Sequence, residues 1–267
     1  MAHKRSTLFA LREPLPRSTA TIVGFFAPIL VIAAWCVLSY GKIVAPGFLP
    51  SPTDTVRGTL QLFYDKDLWG SILVSTRRIL LSFLLASAVA LPLGVLMGAF
   101  EPINRFFEPI VAPLRYMPIS AFFPLLILWF GIFEQEKIAF LFLGVFVYLL
   151  PVVVTAIRSV PEELVQTSLT LGASRWQVVR TVLLPAALPE IFDSFRVMNA
   201  ISWTYVVLAE AINPGQMGLG YMVDLAYKFQ KASWSFACLL VIGGIGLLTD
   251  FVIRLASGLL FRWRETA

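Results

Sequence analysis

Histidine and cysteine are almost missing from this chain. His3 is the single histidine in 267 residues, and it lies in the N-terminal tail. That excludes a histidine-based triad and leaves no set of imidazoles for a catalytic metal. Cys36 and Cys238 are the only cysteines. Each sits inside an apolar run and reads as a small buried hydrophobe, not as half of a disulfide or metal pair. No G-x-x-x-x-G-K-[ST] loop and no H-E-x-x-H occur, so the chain carries no phosphate-cradling loop and no zincin helix. Internal repeats and low-complexity segments are absent. Charge is scarce too, at 14% of residues. Ser120, Ser202 and Glu210 are scattered candidates for intramembrane chemistry, with no visible pairing. No catalytic residue and no metal ligand is therefore assigned, and an enzyme is not expected.

Apolar sequence fills the space. Hydrophobic residues make up 58% of the chain, and the mean hydropathy is +0.81. A soluble domain cannot bury that share, so the composition places the chain in the membrane class. At about 20 residues per crossing, the length fits one bundle of roughly six helices plus loops. The formal charge of +5 would suggest nucleic acid in a soluble protein. Here the distribution matters more than the sum, and no nucleic acid partner is expected.

In chain order, a basic tail over residues 1–19 precedes a first span from Ala20 to Tyr40. That run is longer than a signal-peptide core of about 7–15 residues and reads as a retained span. Residues 41–68 form an outer loop rich in proline and glycine. Within it Thr53–Phe63 reads as a short helix, with Val56, Leu60 and Phe63 on one face. That face is either laid along the membrane or part of a solvated loop. Span two runs from Ser71 to Phe100 and is followed by an inner turn, Glu101–Glu108. Span three, Pro109–Phe130, holds Pro113, Pro118 and Pro124 and is expected to be kinked or partly unwound. Gly131–Glu136 is an outer turn. Span four is Lys137–Ile157, span five Ile191–Ala211 and span six Trp234–Phe261. Residues 213–233 form the last outer loop, and a short tail, 263–267, ends the chain. The inner segments hold 13 Lys or Arg and the outer loops six, with Arg77 and Arg78 as the exceptions. This bias predicts both termini in the cytoplasm.

Charges near spans are costly and need an account. Asp250 and Arg254 have the spacing and order of an i,i+4 pair. Glu210, after Ser202 and Tyr205, either anchors span five or lines a polar path. Arg77 and Arg78 either snorkel to the outer headgroups or attract an anion at a pathway mouth.

One long polar interruption remains, residues 158–190. Ser159 and Glu162 have capping-box spacing, and Glu162 and Glu163 suit a helix N-terminus. Gly172 supplies a stop tolerant of positive φ. Ser174 and Gln177 repeat the capping box for a second helix carrying Trp176, which Leu184-Pro185 is expected to end. Such a helix–Gly–helix hairpin either folds onto its own bundle or lipid, or docks a soluble partner.

The Gly172-x9-Val182-Leu183-Leu184-Pro185 spacing resembles the second half of the E-A-A-x3-G-x9-I-x-L-P motif of ABC-importer permease subunits. Gln166-Thr167-Ser168 replace E-A-A, and Asp193 stands where such permeases usually have glycine. Further matching pieces are Leu49-Pro50-Ser51-Pro52, Leu114-Arg115-Tyr116-Met117-Pro118, Pro124-Leu125, Phe130-Gly131, Pro185-Ala186-Ala187-Leu188-Pro189, Ala209-Glu210 and Gly218-Leu219-Gly220. Together they resemble the permeases of bacterial ABC importers for nitrate, sulfonate, taurine and bicarbonate.

The resemblance implies an all-α polytopic fold of the type I importer kind, in a bacterial inner membrane. The permease domain would span residues 20–262 and carry a cytoplasmic coupling hairpin at 158–190. It implies a second copy of the chain, two ATP-binding subunits inside and a substrate-binding protein outside. ATP and Mg would be held by the ATPase subunits, so this chain needs no cofactor. The implied coupling residues are Glu162, Glu163, Gln166, Gly172, Ala173, Arg175, Trp176, Leu184 and Pro185. The pathway candidates are Arg77, Arg78, Met117, Ser120, Ser202, Tyr205 and Glu210. The competing reading is a self-sufficient channel or secondary transporter for a small solute. Such transporters often show two related halves, which this chain lacks.

Overall fold

The computed structural model describes residues 16–212 and 217–261. Most of the N-terminal tail, His3 included, and the tail 263–267 lie outside the described residues. The rest is helical, with no strand among the described residues. Four helices are long and apolar enough to cross a bilayer: α1 (Arg17–Tyr40), α3 (Leu68–Ala99), α6 (Glu134–Arg158) and α11 (Ala232–Leu260). Between α3 and α6, α4 (Glu101–Leu114) and the segment Ile119–Phe130, which includes α5 (Phe123–Phe130), meet at 89°. This is the expected third span, broken rather than kinked. Pro118 disfavours helical backbone at Met117, and Pro113 removes a hydrogen bond just before the bend. The predicted turn Glu101–Glu108 is also corrected, because it forms the first two turns of α4 with Pro102 in the first turn.

The core of the bundle is the packing of α3 on α6. Ser82, Ala86, Ala90, Gly94 and Gly98 recur every four residues along α3. Small residues at this spacing let two backbones approach closely where lipid supplies no hydrophobic drive. The approach is tight enough that a Cβ at Gly94 would sit 2.7 Å from the Val153 side chain. One at Gly98 would sit 2.7 Å from that of Ile157. On the other side of α6 lies α9 (Leu184–Ala211), the fifth expected span. It is polar for its length, and its charges are paired with neighbours. Arg196 meets Asp250 of α11 at 2.7 Å, and Asp250 also accepts from Arg254 at 3.0 Å. The predicted Asp250–Arg254 pair is thus one arm of a three-residue link. Asn199 adds a hydrogen bond to Thr249 at 2.9 Å.

The segments predicted to lie outside are more structured than expected. The short helix is present as α2 (Pro52–Asp65), started by the Ser51 side chain, which accepts from the Asp54 amide. Its Val56, Leu60 and Phe63 face is exposed, while Thr55, Gly58 and Leu62 are buried. The predicted last loop holds a further helix, α10 (Leu219–Lys228), which packs on α9 and α11. By contrast, α1 buries none of its apolar stretch within this chain. It touches the body through its C-terminal end, where Trp35 donates to the Pro50 carbonyl and stacks on Phe236.

Candidate functional site

The hairpin that interrupts the apolar sequence projects beyond the ends of α3 and α6. Its first arm is α7 (Glu162–Thr170), which has no buried residue. Pro161 occupies the N-cap position, and no side chain caps the helix. The expected Ser159–Glu162 capping box is absent. The Ser159 hydroxyl instead donates to Ala156 O and to Glu190 at the base of the second arm. Proline at residue 161 presets the extended backbone, so the cap is not needed to start the turn. Gly172 ends the arm at φ +90, as its position after the last apolar residue predicts. The Ser174–Gln177 capping box is present in both directions.

The second arm, starting with α8 (Arg175–Val178), does not stop at Leu184-Pro185. It runs through a π turn, Val179–Leu183, directly into α9. Pro185 has no N–H, and its ring crowds the carbonyl four residues back. Widening the preceding turn, so that Leu184 N–H reaches Val179 O, absorbs the proline without breaking the helix. The run from Arg175 to Ala211 is therefore one rod of roughly 55 Å, well beyond the ~30 Å hydrocarbon layer.

The tip carries most of the sequence-selected residues. Glu162, Glu163, Gln166, Gly172, Arg175 and Trp176 are exposed, and Ala173 is half-buried. Leu171 is 83% exposed and Trp176 50%. Arg180 stacks its guanidinium over the Trp176 ring. Leu184 and Pro185 lie at the root of the rod, away from the tip. Val178, Val179 and Leu183 face inward, toward a cavity of about 330 Å³ against Phe100 and Pro102. The hairpin thus presents an exposed knob of leucine, tryptophan and charge rooted by a buried face.

At the far end of the bundle lies a second polar centre. Arg78 is 1% exposed and so is Glu210. Arg78 Nη1 donates to Glu210 at 2.8 Å and to the Met217 carbonyl at 2.8 Å, and its Nε donates to Glu134 at 2.9 Å. Arg78 Nη2 also donates to Glu134. Glu210 further accepts from Ser75 Oγ and from the Gly220 amide, both at 2.8 Å. The Leu219 amide in turn donates to Ser75 Oγ. One carboxylate on α9 thus ties α3 to the start of α10, and Arg78 carries the link on to Glu134 of α6. Glu136 and Lys137 are buried beside this centre, and the Glu136 oxygens have no hydrogen-bond partner.

This placement corrects the headgroup reading for Arg78, whose guanidinium is committed to two carboxylates. Arg77, one residue earlier, points outward and reaches Glu134 only at 3.6 Å. The remaining pathway candidates are not gathered in one place. Ser202 is buried, with its hydroxyl spent on Met198 O. Tyr205 packs edge-on against Phe140. Met117 and Ser120 are exposed at the break between α4 and α5. Sequence reasoning missed Ser75, Glu134 and the amides of α10. The signal for Ser75 was its i,i+3 spacing from Arg78, which puts both on one helix face. Nothing local marked Glu134.

Comparisons with known proteins agree on the kind of molecule. A family model described as "Binding-protein-dependent transport system inner membrane component" matches residues 90–263. The chain is 34% identical over 242 residues to a putative ABC transporter permease protein of Methanocaldococcus jannaschii, covering 89% of this chain and 90% of that one. It is 32% identical over 257 residues to the taurine transport system permease protein TauC of Escherichia coli, covering 94% and 92%. It is also 32% identical over 255 residues to the putative aliphatic sulfonates transport permease protein SsuC of Bacillus subtilis, covering 96% and 92%. Among solved structures, the MetNI methionine ABC transporter in an inward-facing conformation superposes with a TM-score of 0.62. The identity there is 22%, over 74% of this chain and 97% of that one. A bacterial ABC transporter that imports alginate superposes at 0.60 and 14% identity, over 92% and 98%. These two share the fold.

Proposed function

The chain belongs to the family of binding-protein-dependent transport system inner membrane components, and from that premise we propose that it imports small organic sulfonates. It is the membrane-embedded permease subunit of an ABC importer. The single observation that carries the substrate reading is the near full-length similarity to TauC and SsuC.

In this reading two copies of the chain flank the pathway, as a two-fold axis permits. The exposed apolar stretch of α1 is covered by lipid or by the second copy. Two ATP-binding subunits sit on the cytoplasmic side, where both termini and the hairpin lie, and a substrate-binding protein sits outside. ATP and Mg belong to the ATPase subunits. In this reading the chain needs no cofactor of its own.

Coupling follows from the hairpin's construction. Leu171, Trp176, Arg175 and the acids of α7 meet the ATPase. ATP closes the ATPase pair, and the tips follow. Because α8, the π turn and α9 form one rod, tip movement tilts α9 as a rigid body. The Arg78–Glu210–Glu134 link makes the outer ends of α3, α6 and α9 move together. ATP shifts the inward–outward equilibrium only by binding one state better than the other, and hydrolysis resets it.

The test is uptake in proteoliposomes that contain this chain, its ATPase and its binding protein. ATP-dependent uptake of an alkanesulfonate is the expected result. Uptake that proceeds without the ATPase would instead favour a self-sufficient transporter. Uptake of nitrate or bicarbonate with sulfonates excluded would overturn the substrate.

A further inference from the structure

The level at which α2 sits is fixed by the ends of three membrane-crossing helices. Its first turn is held to the last residue of α1, where the Tyr40 hydroxyl donates to Thr53 Oγ1 at 3.1 Å and accepts from the Thr53 amide at 3.3 Å. Its middle abuts the start of α11. A Cβ at Gly58 would sit 3.0 Å from the Ser233 carbonyl oxygen, and Trp234 Nε1 donates to Gln61 at 2.9 Å. Only Lys66 and Asp67 separate its last residue from α3. The helix has 14 residues and is roughly 21 Å long. Pinned where α1 and α11 meet their loops and where α3 begins, it lies across the ends of the spans, at a membrane surface.

The sequence of α2 divides into three stripes, not two. Thr55, Gly58 and Leu62 are buried against the chain. Asp54, Arg57, Gln61 and Asp65, at spacings of three, four and four, form a polar stripe. Val56, Leu60 and Phe63 form the third, each at least half exposed. At 100° per residue the stripes are roughly 90–140° apart. A helix between protein and water needs only a protein side and a water side. An apolar face turned away from both calls for an apolar medium. That medium is already present at this level, because the apolar spans end there. Charge does not select it: Arg57 and Lys66 stand against Asp54, Asp65 and Asp67. The segment therefore has no excess of positive charge to draw it to acidic headgroups.

We propose that α2 is an interfacial helix bound to the headgroup–acyl boundary of the leaflet away from the hairpin. Val56, Leu60 and Phe63 enter that boundary, and Asp54, Arg57 and Asp65 stay in water. Apolar contact holds the helix there, independently of headgroup charge. The substrate-binding protein then meets the chain on other surfaces. The inference rests on the chain being a membrane permease and is independent of its substrate.

The experiment uses the full-length permease with its ATPase, reconstituted in phosphatidylcholine vesicles. Val56→Cys, Leu60→Cys, Phe63→Cys, Arg57→Cys and Asp65→Cys are made singly in a background without Cys36 and Cys238 and labelled with a nitroxide. All five positions are exposed, so the labels displace no packed side chain. Collision with oxygen, which concentrates in lipid, is compared with collision with a water-soluble nickel chelate. The oxygen-to-nickel ratio is expected to be roughly threefold or more higher at residues 56, 60 and 63 than at 57 and 65. Equal ratios at all five positions put the third stripe in water and overturn the proposal. Screening of residues 56, 60 and 63 from both reagents, with or without added binding protein, gives that face to a protein and overturns it too. Replacing half of the phosphatidylcholine with phosphatidylglycerol should leave the pattern unchanged. A pattern seen only with the acidic lipid would overturn apolar contact as the binding force.

Discussion

Replacing Glu210 with alanine should be among the most damaging single changes in this protein. The carboxylate is buried and accepts three kinds of donor, from Arg78, Ser75 and the Gly220 amide. Its loss leaves Arg78, itself buried, with Glu134 as its remaining acidic partner. Breaking one side of a buried ion pair typically costs about 3–5 kcal/mol. Glu134 remains, which moves the charge contribution toward the low end. The Gly220 amide, however, loses its acceptor at the start of α10, which adds about 1–3 kcal/mol. The sum is about 4–6 kcal/mol. Glu210→Gln keeps an acceptor oxygen and should cost clearly less. The assay is unfolding in mixed micelles, followed by the fluorescence of the chain's seven tryptophans. Arg77→Gln is the control. Its side chain is exposed, and such pairs contribute about 0–1 kcal/mol. A double-mutant cycle between residues 78 and 210 should show coupling of at least about 1 kcal/mol. If Glu210→Ala and Arg77→Gln lower stability equally, the buried network does not hold the outer end together and the reasoning fails.

Gly98→Val places methyl groups where Ile157 already sits, and neither backbone has room to yield. The same unfolding assay should read a loss of about 1–3 kcal/mol, and wild-type stability would refute the close α3–α6 approach. Gly172→Val meets open space but keeps φ at +90. It should cost on the order of 1 kcal/mol locally and leave insertion intact, while ATPase pull-down and substrate-stimulated hydrolysis fall. Normal binding and transport by that variant would remove the hairpin as the coupling element. Single cysteines at Leu171 and Tyr64, both well exposed, should react from opposite sides of the membrane in a background without Cys36 and Cys238. Labelling of Leu171→Cys from outside would reverse the topology.

What could be read from the chain alone was whatever depends on near neighbours. Apolar length marked four of the expected spans, α1, α3, α6 and α11, because a crossing needs about 20 consecutive residues and nothing from elsewhere. Gly172 and the Ser174–Gln177 box determined where the hairpin turns, because a cap and a positive φ are settled within four residues. Tertiary packing decided the rest. Arg77 and Arg78 are indistinguishable in sequence, yet about 100° of helical rotation puts one in solvent and the other in the core. The acids that receive Arg78 lie 56 and 132 residues further on, so no local pattern could pair them. Pro185 looked like a helix end, but the packed faces of α8 and α9 favour one continuous rod. A π turn accommodates the missing N–H more cheaply than unpacking either face would.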